Sequence, residues 1–153
     1  MNHHCAAARG SSSSLYKSRR TQSQQMVSVL YNNRYGGFQI SAEAFAEYQR
    51  RGGTCEAEDD IARDDPIMVA VVKDMGARAN HDKHANICIA MVPAPFEKHY
   101  RITEHDGLER VIVDVHRWFV DSVRAVLSGT LSADAKVQAI EALSATHAAS
   151  CAA

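Results

Sequence analysis

No pair of cysteines in this sequence stands in a C-x-x-C arrangement; the four, Cys5, Cys55, Cys88 and Cys151, are scattered along the chain. That spacing excludes a zinc ribbon and gives no disulfide framework, so reduced thiols are expected. No apolar run approaches the ~20 residues of a membrane span; Ile67 to Val72 makes six. Three prolines and eight glycines among 153 residues exclude collagen-like or low-complexity architectures. The beginning of the sequence shows no positive segment leading into an apolar stretch, so secretion is not expected. Acidic residues are missing from positions 1–25, which hold Arg9, Lys17, Arg19 and Arg20. The other thirteen Lys and Arg face all eighteen Asp and Glu. A basic tail thus precedes an acidic body.

What is present fits one globular domain. The apolar fraction is 46% and the charged fraction 23%, and a chain of this length can bury a core without metal or disulfides. Residues 1–25, rich in Ser and Gln, lack an apolar pattern and are expected to be flexible. Four positive charges there would support only weak, non-specific nucleic-acid binding, displacing about four counterions. The folded domain is expected over 26–148, with a short tail at 149–153.

Met26 to Tyr31 reads as a strand, ended by Asn32-Asn33-Arg34-Tyr35-Gly36-Gly37. Ser41 caps a helix from Ala42 to Arg51, closed by Gly52-Gly53. An acidic loop over 54–65 leads to Asp65-Pro66, a cap followed by proline at the first helical position. The helix that follows runs to about Ala79-Asn80. Asn86 to Val92 forms a second strand and Lys98 to His105 a third. Asp106 and Glu109 have capping-box spacing. From there Leu108, Ile112, Val115, Phe119, Val120, Val123, Val126 and Leu127 share an arc of about 140° at helical period. The pattern predicts one long helix ending at Gly129. Ser132 caps a last, Ala-rich helix fading toward Ala148. The expected fold is a single α+β domain, with a small, mostly antiparallel sheet of about three strands covered by about four helices.

The chemistry-bearing residues are few. Asn32, Asn33, Arg34, Tyr35, Gly36 and Gly37 form a candidate ligand or partner loop: the glycines allow close backbone approach and Arg34 offers a planar fork to an anion. The loop lacks the lysine and spacing of a P-loop. Glu104, His105 and Asp106 offer acid, base and acid, which with Arg34 would suit a metal-assisted hydrolase. His81-x-x-His84 lacks further ligands and reads as a solvated loop. No metal, catalytic residue or cofactor is assigned. Trp118 falls about 300° around the long helix, outside the apolar arc. With Tyr35 and Phe38 it is expected at the interface of a homodimer.

The string Val29-Leu30-Tyr31-Asn32-Asn33-Arg34-Tyr35-Gly36-Gly37-Phe38, followed by Ile40-Ser41 and Tyr48, resembles a group of small uncharacterised proteins encoded by large DNA viruses of protists. Asp65-Pro66, Gly76, Ala79-Asn80 and Glu104-His105-Asp106-Gly107 with Glu109 follow in the same order. The resemblance covers roughly residues 26–118. In that group the position of His105 often looks aromatic, which speaks against catalysis by His105. The resemblance implies a viral context, in the virion or the host-cell cytoplasm or nucleus, and no mechanism. Three functions are therefore carried forward: a non-catalytic, self-associating interaction protein with a viral or host protein partner and no membrane role; the metal-assisted hydrolase; and a nucleic-acid accessory protein acting through the basic tail.

Overall fold

The computed structural model describes residues 25–152. The chain folds as β1 (Met26–Asn32), α1 (Ala42–Arg50), α2 (Pro66–Met75), β2 (Ile87–Pro93), β3 (Tyr100–His105), β4 (Leu108–Val113), α3 (Val115–Ser128) and α4 (Ala133–Cys151). This is a single α+β domain, with four helices and two small antiparallel sheets among the described residues. β1 pairs with β2, from Met26↔Pro93 to Asn32↔Ile87, and β3 pairs with β4, from Tyr100↔Val113 to His105↔Leu108.

The β1–β2 sheet lies between two apolar cores. Successive strand residues point to opposite faces, so Leu30, Ile87 and Ile89 enter a core with Ile40, Tyr48, Met68, Val71 and Val72. Val27, Val29 and Val92 enter the other, with Phe96 and Trp118. Burial on both faces explains why β1 reads as an almost unbroken apolar run. The expected helix starts are present: Ser41 Oγ accepts from the Ala44 amide, Asp65 Oδ1 from those of Ile67 and Met68, and Ser132 Oγ from that of Ala135.

The long helix beginning at Asp106 is not formed. Asp106 and Gly107 are instead the two central residues of a hairpin turn, with φ of 52° and 84°. Asp-Gly with positive φ at both positions is the type I′ signature, whose twist matches that of the flanking strands. Val111-Ile112-Val113 follows its β-branched preference and completes β4. α3 starts only at Val115, where Asp114 Oδ1 accepts from the Arg117 amide. Among the described residues there are therefore four strands rather than three. The last helix also continues through Cys151, beyond the expected end at 148.

Trp118 is corrected as well. It is 6% exposed and meets Phe96 edge to face, with ring centroids 5.0 Å apart. α3 has two neighbours, the body on the Trp118 side and α4 on the Phe119 side, so one apolar arc underestimates what it buries. Part of that arc, at Val120 and Leu127, is left exposed instead. α4 packs against α3 by half-exposed residues alone, among them Leu143 and His147, whose ring lies 4.8 Å from that of Phe119.

Candidate functional site

β1 delivers Asn32 into a fully buried position between the loop it opens and the β3–β4 turn. A buried amide side chain must find partners, and Asn32 finds them in three segments. Its Nδ2 donates to the carbonyls of Arg34 (2.6 Å) and Gly107 (2.8 Å), and its Oδ1 accepts from the Asn86 amide at 2.8 Å. Its own backbone N–H donates to Glu109 Oε2 at 2.7 Å. Asn32 thus bolts the loop, the start of β2 and the hairpin turn together.

Glu109, 6% exposed, is the one buried charged residue among the described residues. Arg63 meets it with two parallel bonds of 2.9 Å, Nη1 to Oε2 and Nη2 to Oε1. The other face of the guanidinium rests on Phe38, whose ring centroid is 3.4 Å from Cζ. Bidentate pairing and stacking are what arginine supplies and lysine does not. Phe38, expected at an interface, is therefore half-buried against Arg63 in its own chain. Arg63 was not singled out in the sequence, and Glu109 only as a capping-box partner of Asp106 and as part of the resemblance. Reading Asp106-Gly107 as a hairpin would have placed Glu109 in a strand, as an acid among alternating apolar residues.

The two loop glycines are structural too. Gly36 and Gly37 have φ of 133° and 88°. A Cβ on Gly107 would overlap the backbone amides of both. The loop is thereby clamped against the hairpin turn. Asn33, Arg34 and Tyr35 are the members that turn outward, with Tyr35 62% exposed.

Tyr35 helps line an open depression of about 340 Å³ with Thr103, Glu104, His105, Leu108 and Arg110. The structure brings Tyr35 to Glu104 and His105 here, while Arg34 and Asp106 do not line it. Glu104 Oε1 accepts from the Gly107 amide and so braces the turn. His105 Nε2 is 3.6 Å from Asp106 Oδ2, and both side chains are more than three-quarters exposed. Among the described residues, no three His, Cys, Asp or Glu side chains converge to hold a metal ion. His81 and His84 lie on the surface. Likewise, no described helix is long and apolar enough to cross a membrane. The basic tail expected to meet nucleic acid lies outside the described residues, apart from Gln25.

No known family model, curated protein or solved structure matches the chain.

Proposed function

We propose that this chain is a non-catalytic interaction protein that self-associates. In keeping with the resemblance of residues 26–118 to proteins of large DNA viruses of protists, it would act in the virion or inside the infected cell, with a viral or host protein as further partner. The observation that carries the reading is the placement of large apolar side chains in solvent. Leu127, Leu131 and Val137 are each more than half exposed around the α3–α4 connection, and Met91 is 51% exposed on β2. Single exposed apolar residues are ordinary, but a cluster at one end of a helical hairpin marks an interaction surface.

The hydrolase reading draws less support. General acid–base chemistry calls for groups held in a desolvated, fixed geometry, whereas His105 and Asp106 are open to water and Glu104 is engaged by the turn. The test is solution mass by light scattering over a hundredfold range of concentration. A mass rising from one chain toward two supports the proposal; one chain throughout rejects it.

A further inference from the structure

Of the four outer strand edges among the described residues, three carry charge or a covering segment, and one does not. The hydrogen bonds flanking the β1–β2 register settle which amides point outward. The Asn33 amide donates to Asn86 O at 2.9 Å, and the Ala94 amide to Gln25 O at 2.7 Å. Odd-numbered residues of β1 therefore bond to even-numbered residues of β2. The outward groups of β2 belong to Ile87, Ile89, Met91 and Pro93. Ile87 N–H is taken by Asn80 Oδ1 at 2.7 Å, and proline has no N–H. Ile89 and Met91 remain, their outward N–H groups without a partner among the described residues.

The outer edge of β1 is covered over its second half, where Leu30 N–H donates to Arg63 O at 2.7 Å and Asn32 N–H to Glu109. Beside the Met26 and Ser28 amides, which have no partner among the described residues, stands the Lys73 ammonium, 3.4 Å from Ser28 Oγ. β3 and β4 carry Arg101, Glu104, Glu109 and Arg110, the kind of charge that discourages edge pairing. β2, Ile-Cys-Ile-Ala-Met-Val-Pro, carries none of Asp, Glu, Lys or Arg.

We propose that a second copy of this chain docks on the outer edge of β2, antiparallel about a two-fold axis at Ala90. The inference rests on the self-association proposed above and names its surface. The free groups are symmetric about Ala90, as a self-complementary contact requires. In that register Ile89 lies opposite Met91 of the partner subunit and the reverse, giving four N–H···O bonds. The two Ala90 residues face one another with Cα atoms about 4.5 Å apart, the spacing of a non-hydrogen-bonded pair. An uncharged strand meets its own copy without repulsion. The β1 edge, covered at Leu30 and Asn32 and flanked by Lys73 at Ser28, disfavours further growth, so the product is a four-stranded sheet across a dimer rather than a fibre. The open edge is short, about 7 Å from Ile89 to Met91, so the contact falls below the ~800 Å² per partner of a standard interface and the dimer should dissociate on dilution.

The experiment compares the full chain with Met91→Pro, Leu131→Lys and Ala90→Cys by light scattering, with thermal midpoints as a check on folding. Proline is tolerated where a strand N–H faces outward. Met91→Pro should therefore keep its fold and need at least tenfold more protein to dimerise; Leu131→Lys tests whether the exposed α3–α4 cluster carries the contact instead. Under mild oxidation Ala90→Cys should give a disulfide-linked dimer that the parent does not, since the expected Cα separation suits a disulfide. If Met91→Pro loses its fold, the Ala90→Cys cross-link decides alone. A dimeric parent with Met91→Pro unaffected and no Ala90→Cys cross-link overturns this surface and leaves self-association standing; disruption by Leu131→Lys alone moves the contact to α3–α4. A parent that stays monomeric overturns both proposals. A monomeric parent that dimerises once residues 1–22 are deleted overturns the dimer and assigns the edge to the chain's own tail.

Discussion

Replacing Glu109 by alanine should destabilise the fold by about 3 kcal/mol. Two losses add. The Asn32 amide, buried with Glu109 Oε2 as its acceptor, is left unsatisfied, at about 1–3 kcal/mol. Arg63 loses both charge-assisted bonds. Breaking a wholly buried pair is worth roughly 3–5 kcal/mol, but the Arg63 side chain is 28% exposed and rehydrates in part, so the sum stays near the low end. For a domain of this size that is a fall in Tm of roughly 6–12 °C. Glu109→Gln should lose less, about 1–2 kcal/mol, because its carbonyl still accepts from Asn32 while its amide faces the guanidinium. Urea unfolding followed by fluorescence suits the measurement, since Trp118 is the single tryptophan and is buried. A double-mutant cycle with Arg63→Ala should return a coupling of roughly 1–3 kcal/mol. If Glu109→Ala lies within about 0.5 kcal/mol of the parent at unchanged m, the Arg63–Glu109 pair does not hold the fold together.

Gly107→Ala should be worse than its single methyl suggests, losing upward of about 2 kcal/mol, because the new Cβ meets the Gly36 and Gly37 amides at a φ of 84°; a Tm within 2 °C of the parent, by about 2–4 °C per kcal/mol, would contradict the clamp. Arg34→Ala should leave stability within about 0.5 kcal/mol, as expected of an exposed side chain, and a larger loss in urea would assign Arg34 to the fold. Hydrogen bonds from Arg50 and then Arg51 hold the Glu47 carboxyl down to about 2 from an ordinary 4.5. A carboxyl lowered by folding stabilises above its unfolded value and loses that contribution as pH falls toward its folded one. The Tm advantage of the parent over Glu47→Gln should thus shrink between pH 4.5 and 2; an advantage constant with pH would show that the ion pairs contribute nothing.

Much of the fold was legible because it is decided locally. Ser41, Asp65-Pro66 and Ser132 are caps whose partners lie two or three residues away. β1 and β2 are apolar runs bounded by Asn, Gly and Pro. The failure at 106–114 came from a contest between two local readings of the same residues. Asp106 and Glu109 match a helix start by spacing, and Asp106-Gly107 matches a hairpin turn by type. The contest is settled by what Glu109 reaches: Arg63, 46 positions away, and Asn32, 77 away. No window of sequence contains those partners. Trp118 was misplaced for the same reason, since its cover, Phe96, comes from outside α3.

The loop after β1 shows how a specific string divides between folding and recognition. Asn32 is consumed by hydrogen bonds, Gly36 and Gly37 by backbone shape, and Phe38 by Arg63. What is left to meet another molecule is Asn33, Arg34 and Tyr35, beside the depression that holds Glu104, His105 and Arg110. Charges so open to water bind little on their own, because solvent screens them. A protein surface laid over Tyr35 would exclude that water and strengthen each of those pairings. The same corner offers a small substrate no enclosure in which its reacting groups would be held. Rigid backbone beneath and solvated side chains above therefore fit a contact surface better than a reaction site.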